Sequence, residues 1–552
     1  MLRAAIAMKA RSGTIRLSAS DLSNHLGCQH LTSLDLAVVA GIRNTPKWRS
    51  PDLQVLQQRG REHEDAYLRS LAAEGREIAD LRAVGNEEEA QALTLAAIER
   101  GVDVVAQATL ADGRWFGRAD VLRRVPQPSR FGDWAYEVYD CKLASETKAG
   151  TILQLSLYSE LLSIAQGVLP EQMYVVPPGE GFEAEAHRVK DYAAYYRHVK
   201  ARLTAAADQD AGIVTYPEPT AHCMSCRWFG DCDIQRRRDD HLSLVAGISK
   251  LHRKQLALWE TGTLEALSRL PLPLQHRPAY GSKEAYVRLR EQARMQAAGR
   301  YQKQPVHELL DITDEHGFRL LPEPAPGDVF FDLEGDPFAG TGGREYLFGF
   351  ATARPDGTTV YTCRWALSAE DEKRAFEWFV DSVMALWAEF PSMHIYHFTA
   401  YEPAALKRLM GRYATREDEI DRLLRGKRLV DVHTVVKRSV RASVEEYSLK
   451  ALEEFHQFAR TVPLENARQA MRSSTGWNWA NRSILPKVWG LRSRVITRTI
   501  AFRQNHCVTG WSVNASRLWK RAQTCRVRQP PMVRRRKPSA NASSAPRNSQ
   551  LN

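Results

Sequence analysis

The sequence predicts an α/β protein of two domains joined by a helical segment. Three observations carry this. The run Trp134-Ala-Tyr-Glu-Val-Tyr-Asp140-Cys-Lys142-Leu-Ala144 alternates apolar and polar residues, reads as a strand, and stands between two earlier strand-like runs and a following helix. A second strand-like run, Asp328-Val-Phe-Phe-Asp332-Leu-Glu334, opens another series of strands and helices. The Pro-rich Leu321-Pro-Glu-Pro-Ala-Pro-Gly327 stands between them and marks a boundary.

Composition narrows the class. A chain of 552 residues with 43% hydrophobic and 26% charged residues is built like a soluble globular protein. No apolar run approaches the roughly 18 residues of a membrane span, and Met1–Met8 is too short an apolar core for a signal peptide. The expectation is therefore a cytoplasmic protein with no membrane partner. The net charge of +12 invites a nucleic-acid reading, but its distribution weakens it. All 65 acids lie at or before Glu465 and 18 of the 77 basic residues lie after it, so residues 1–465 carry 59 basic against 65 acidic side chains, a net of −6. Binding to nucleic acid must come from local grooves and metal ions rather than a global field.

Taken in order, residues 17–36 read as a helix capped by Ser18 or Ser20 and carrying Cys28. Residues 51–75 form a second helix on which Leu56, Gly60, His63, Tyr67 and Leu71 share one face, so His63 points inward as a core histidine or a ligand. Two strand-like runs fill residues 102–123, the second carrying Asp120 ahead of Val125-Pro-Gln-Pro. In the next strand Tyr136, Val138, Asp140 and Lys142 share a face. A carboxylate and an ammonium side by side at a strand end can hold a divalent cation and polarise an attacking water. A helix follows, with Gln154 and Tyr158 one turn apart.

Cys223, Cys226 and Cys232 are closely spaced, which in a cytosolic chain argues for metal over disulfides. Three ligands leave a closed site one short, and Cys28, 195 residues before Cys223, is the natural fourth. A structural Zn²⁺ and an iron–sulfur cluster both fit four thiolates. Residues 240–325 read as a polar helical linker, with a helix–hairpin–helix contact to DNA as the alternative. In the following strand Phe330, Asp332 and Glu334 share a face, and two carboxylates so placed can share a pair of divalent ions. Strands at Tyr346–Thr352 and Thr359–Trp365, a helix over Ala369–Phe390, and a strand at Met393–His397 lead to Tyr401-Glu402 and a further helix. Asp431 is an additional acid without an assigned role.

The ordered set His63, Asp120, Asp140-x-Lys142, Gln154-x-x-x-Tyr158 resembles the RecB-type PD-(D/E)XK nucleases. That resemblance implies a restriction-endonuclease-like domain with a mixed sheet. It also implies Mg²⁺ or Mn²⁺ on His63, Asp120 and Asp140, Lys142 serving the attacking water, and Gln154 and Tyr158 contacting the substrate strand. One cysteine before this set and three after it resemble the iron–sulfur RecB-type nucleases, including the CRISPR-associated RecB-like exonucleases and the AddB nuclease domain. A [4Fe–4S] cluster on Cys28, Cys223, Cys226 and Cys232 is implied, with Zn²⁺ as the alternative. The later run is similar to the RNase H-like fold of DEDD exonucleases, with Asp332 and Glu334 as metal ligands and Glu402 where that family has Asp. The arrangement over about residues 15–465 resembles bacterial RecB-like nucleases in which an iron–sulfur nuclease domain precedes a YprB-type RNase H-like domain, often with a helicase beyond.

The expected organisation is a disordered N-terminus (1–15), the nuclease domain (16–238), the helical linker (239–326), an incomplete RNase H-like domain (327–465), and an acid-free tail (466–552). Residues 472–552 hold five scattered tryptophans and Arg534-Arg-Arg-Lys, and are expected to be a shifted reading frame or disrupted gene end rather than a basic tail. The expected function is a Mg²⁺- or Mn²⁺-dependent deoxyribonuclease, an exonuclease on single-stranded DNA ends, in DNA repair or foreign-DNA processing. The alternatives are a non-catalytic nucleic-acid-binding or assembly module of a helicase–nuclease, and an inactive truncated product.

Overall fold

The computed structural model describes residues 8–455 apart from 12–13, 47–50, 145, 180, 210–214, 340–341 and 354–358. The acid-free tail and its tryptophans lie outside the described residues. In the first domain the chain runs through β1 (Lys9–Arg11), β2 (Thr14–Ser18), α1 (Ala19–Gly27), α2 (Gln29–Val39), α3 (Pro51–Ala73), β3 (Ile78–Asp80), α4 (Glu87–Glu99), β4 (Val104–Asp112), β5 (Trp115–Val125) and β6 (Ala135–Cys141). It continues through α5 (Ala149–Gln166), β7 (Gln172–Val176), β8 (Glu185–Arg188), α6 (Val189–Ala207) and α7 (Phe229–Arg238).

Two expectations change at once. The first 15 residues are not all disordered, because β1 pairs antiparallel with β2 through Ala10 and Ile15. The helix expected over 17–36 is two helices. Ser18 caps α1 by accepting from the Asp21 N–H, and the chain turns extended at Cys28 (φ −161°) before α2 begins. The break therefore falls on the cysteine itself.

The eight strands form one mixed sheet, β1-β2-β5-β6-β7-β8, with β4 on β5 and β3 on β4. β6 sits at its centre, antiparallel to β5 and parallel to β7. Its alternation in sequence is not a wet face against a dry one, since every residue from Ala135 to Asp140 is buried. One face packs Tyr136 and Val138 against Leu153 and Leu157 of α5, and the other packs Tyr139 against Tyr67 and Leu71 of α3. The polar residues between them are satisfied locally. Glu137, for example, accepts from the Gln172 N–H at 2.9 Å.

The linker holds α8 (Lys250–Leu258), α9 (Leu264–Ser268), α10 (Lys283–Gln302) and β9 (His307–Leu309) around a small core that includes Leu256, Leu264, Leu267 and Tyr286. The second domain runs β10 (Val329–Asp336), β11 (Arg344–Ala353), β12 (Thr359–Trp365), α11 (Ala369–Glu389), β13 (Ile395–His397), α12 (Tyr401–Tyr413), α13 (Glu417–Arg425), β14 (Leu429–Asp431), α14 (Val432–Ser439), β15 (Val440–Ala442) and α15 (Leu449–Leu452). Its sheet has the order β12-β11-β10-β13-β14, an antiparallel meander whose first strand is followed by two parallel neighbours. The linker is built into this domain, because β9 pairs with β15 and Gln292 of α10 donates to the Ala442 carbonyl at 3.0 Å. The two domains also meet directly where Arg59 of α3 reaches Asp336 at the end of β10, Nη2 to Oδ2 at 2.8 Å, with both side chains nearly buried.

The second domain is centred on Phe331, whose ring stacks on Phe379 of α11 at 3.8 Å between centroids, both fully buried. Replacing either ring by Ala is expected to destabilise this domain by about 3–5 kcal/mol. Urea denaturation followed by tryptophan fluorescence measures the loss, with Trp378 and Trp387 of α11 as reporters.

Candidate active site

The first site forms where β6 ends. Asp140, 2% exposed, is the last inward residue of the strand, and Lys142 follows just past its end rather than within it. The ammonium stands 2.6 Å from Asp140 Oδ2. Asp120, on the neighbouring β5, accepts the Cys141 N–H on Oδ2 at 3.0 Å. Burial raises the Asp140 carboxyl; Lys142 pulls it down, and the adjacent Asp120 carboxylate pushes it up again. Burial alone would lower the Lys142 ammonium, but Asp140 and Asp120 outweigh it and its pKa is raised. The arrangement is two adjacent carboxyl groups beside one ammonium.

His63 approaches from α3. Its Nε2 donates to the Val176 carbonyl at 3.0 Å, the same carbonyl that accepts the Lys142 N–H at 3.0 Å. Its ring stacks on Phe182 with 5.9 Å between centroids. Tyr158 of α5 is buried, and its hydroxyl is held far above the ordinary range by burial and by Asp140 and Asp120. A Cβ on Gly117 would fall 2.4 Å from the Tyr158 ring, so the absence of a side chain there seats the tyrosine. Gln154 lies one turn earlier, half-buried. The structure thus gathers His63, Asp120, Asp140, Lys142 and Tyr158 around one strand end. Two residues not anticipated join them: Gln107 Nε2 donates to Glu64 Oε1 at 2.8 Å and to Asp120 Oδ1 at 3.2 Å. The available signal was a lone amide inside the apolar run Val104-Val-Ala-Gln-Ala.

The four cysteines also converge. Cys28, Cys223, Cys226 and Cys232 line one cavity floored by Trp228 and Leu34. Backbone N–H groups of Thr220 and Trp228 point at the sulfurs of Cys223 and Cys226, each at 3.4 Å. Asp35 fixes the turn that follows Cys226, accepting from Trp228 Nε1 at 2.8 Å and pairing with Arg227. Burial pushes the Cys226 thiol up to about 11 and the Cys232 thiol up to about 12.

In the second domain Asp332 and Glu334 lie on β10, His397 ends β13, and Asp431 ends β14, so the acids collect beyond the carboxyl ends of parallel strands. Glu402, in the first turn of α12, is 4% exposed, and its Oε2 has no hydrogen-bond partner, standing 3.7 Å from His397 Nδ1. Burial pushes Glu402 up to about 8, reinforced by Asp431, Glu345 and Glu334. Burial likewise raises Glu334, against the pull of Lys450. Asp431 has a structural role: it caps α14, accepting from the His433 and Thr399 N–H groups at 3.0 Å. Glu345 was not anticipated. It is buried beside Gly335 and receives the Tyr401 hydroxyl at 2.9 Å and the Arg408 guanidinium.

Among the described residues, no three His, Cys, Asp or Glu side chains stand close enough, as placed, to enclose a metal ion. The donors at the first site nonetheless suit a hard cation. Mg²⁺ needs only one or two carboxylates and keeps waters in its other positions, and Asp120 and Asp140 supply that pair. The four thiols suit a softer metal.

The raised carboxyls set a pH dependence. In the folded chain Glu402 keeps its proton up to about pH 8, whereas unfolded it loses it near its ordinary value of 4.5. Its contribution to stability is complete below pH 4.5 and is lost as pH rises through about 8. Glu402→Gln is therefore expected to raise the Tm at pH 8–9 by about 2–4 °C, the equivalent of 1 kcal/mol, with little change at pH 4.5. Differential scanning calorimetry across this range checks it.

Comparison with known proteins reaches the second domain. Residues 329–486 match the family model described as the RNase_H superfamily, beginning at the first residue of β10 and running past the last described residue. No curated protein matches the chain. No helix among the described residues is long and apolar enough to cross a membrane. The mixed α/β architecture expected from the sequence is present, with an RNase H-like segment in its C-terminal half.

Proposed function

We propose that the chain is a metal-dependent nuclease that hydrolyses phosphodiester bonds of DNA, acting on single-stranded ends at the Asp120–Asp140–Lys142 site. One observation carries this reading: two adjacent carboxylates lie at the end of a central strand with an ammonium 2.6 Å from one of them. Asp120 and Asp140 would hold a Mg²⁺ or Mn²⁺ ion, with His63 at the rim, and the ion would supply positive charge to the scissile phosphate. Lys142, freed from Asp140 as the cation takes over that carboxylate, would orient the attacking water and steady the phosphate oxygens. Gln154 and Tyr158 would line the wall nearest the substrate strand.

The RNase H superfamily match supports nucleic-acid hydrolysis more broadly. It favours a second reading, in which Asp332, Glu334 and Glu402 hold metal ions and do the cutting. The buried, unpartnered Glu402 Oε2 supports that reading. The cysteine cavity would carry a [4Fe–4S] cluster joining the start of the domain to its end, with Zn²⁺ as the alternative occupant. DNA repair or foreign-DNA processing in the cytoplasm, with helicase action encoded in the same gene or supplied by a separate partner, is the setting that fits these parts.

End-labelled single-stranded DNA, incubated with protein purified without oxygen, is expected to be cut in Mn²⁺ or Mg²⁺ and spared in EDTA. Lys142→Ala should lower cleavage by about 100- to 1,000-fold. If Lys142→Ala cuts normally and Asp332→Asn does not, the RNase H-like centre is the active one. If folded wild-type protein binds DNA without cutting, the chain is a binding module.

The protein purified without oxygen is expected to be brown and to contain iron, and Cys226→Ser should lose both. A colourless protein containing zinc, with the zinc lost in Cys226→Ser, would identify Zn²⁺ as the occupant.

A further inference from the structure

We propose that Gln107 and Glu64 are positioning residues of the first site, fixing the Asp120 carboxylate in the orientation in which it and Asp140 take a divalent cation. The proposal rests on the reading of Asp120, Asp140 and Lys142 as a hydrolytic site.

Gln107 has a left-handed backbone, φ 53°, in the middle of β4. Side-chain-bearing residues adopt this conformation rarely and at a cost, and hold it only where their surroundings impose it. The distortion extends across the ladder. β4 and β5 pair at Ala106–Val121 and Ala108–Ala119 but not at Gln107 and Asp120, which lie between. The alternation of faces slips there in both strands. Val105 and Ala108 share one core while Ala106 belongs to the other; Ala119 and Leu122 share one core while Val121 belongs to the other. An irregularity of this kind re-aims a side chain, and such irregularities gather beside active sites. Here the re-aimed side chains are Gln107 and Asp120.

The contacts show what the distortion accomplishes. The Gln107 amide has two N–H donors on one nitrogen and uses them on Glu64 Oε1 (2.8 Å) and Asp120 Oδ1 (3.2 Å). The Cys141 N–H takes Asp120 Oδ2 at 3.0 Å. Both Asp120 oxygens are thereby fixed, one from α3 through Glu64 and Gln107, the other from β6. Arg118 clamps the kink from outside, donating from Nε to the Gln107 carbonyl at 3.2 Å and from Nη2 to the Leu81 carbonyl at 2.6 Å. An apolar strand interior has no packing need for an amide joining two acids. Groups that orient a metal ligand through its second oxygen do have one, and their loss lowers metal affinity or activity by about 10- to 100-fold.

Gln107→Gly separates this role from a structural one. Glycine adopts the left-handed conformation freely, so the variant should melt at the wild-type temperature or above it while losing the amide. Mn²⁺ binding, measured by calorimetry and by the electron paramagnetic resonance signal of free Mn²⁺, should weaken by about 10- to 100-fold in Gln107→Gly and in Glu64→Ala, which removes the acceptor, and cleavage at fixed Mn²⁺ should fall in parallel. Wild-type Mn²⁺ affinity in both variants would overturn the proposal, as would wild-type protein that binds no Mn²⁺. Wild-type protein that binds Mn²⁺ without cutting DNA would remove the hydrolytic reading. Weakened Mn²⁺ binding in the two variants would then still support the positioning role.

Discussion

Two carboxyl groups share a dry pocket only if a retained proton or a nearby positive charge relieves their repulsion. Asp120 and Asp140 meet this condition at the end of β6 through the Lys142 ammonium, and much of the first domain serves to maintain it. β6 must be central, so that Asp140 is buried; β5 must lie beside it, so that Asp120 is adjacent. α5 covers one face and α3 the other, which excludes water and strengthens every charge inside. A divalent cation would relieve the crowding more fully than one ammonium can, because it brings two positive charges to the same two acids.

The second domain solves a related problem with other parts. Asp332, Glu334, Glu345 and Glu402 crowd the open end of a parallel strand pair. Arg408 and the Tyr401 hydroxyl answer Glu345, and Lys450 draws on Glu334. Glu402 stays raised by burial and by Asp431, Glu345 and Glu334; His397, 3.7 Å away, does not offset this, because its Nδ1 donates to the Thr399 carbonyl at 2.6 Å and burial holds the ring low. Both centres are left short of positive charge, the first with one ammonium against two carboxyl groups.

Much of this was legible in the sequence, for identifiable reasons. Period-two alternation located β6 and β10, and residue spacing placed Asp140 beside Lys142 and Asp332 beside Glu334, because a strand's geometry is fixed by its backbone. The convergence of Cys28 on the other three cysteines followed from counting ligands. What could not be read depended on contacts between distant segments. β6 has no wet face because α3 packs on it from across the chain, and alternation cannot tell a satisfied buried Glu137 from an exposed one. The helix expected over 17–36 breaks at Cys28, directly after Gly27, a lone glycine that helical periodicity alone does not single out as a stop. Gln107 and Glu64 look ordinary until strand pairing brings them together, and Asp431 declares itself a cap only once α14 is seen to begin beside it.

The pair between Arg59 and Asp336 bears on how the two halves can be taken apart. A buried ion pair contributes orientation more than strength, since both charges regain water when it opens. Its larger effect is local. Asp336, Asp332 and Glu334 all surround Tyr346, so the guanidinium contributed by α3 is part of the charge balance at the second centre. Excising the RNase H-like domain at the Pro-rich boundary would leave that cluster of acids without its borrowed cation. The excised domain would carry more uncompensated negative charge there than the intact chain does, and its behaviour alone would misrepresent the centre it has in the intact protein.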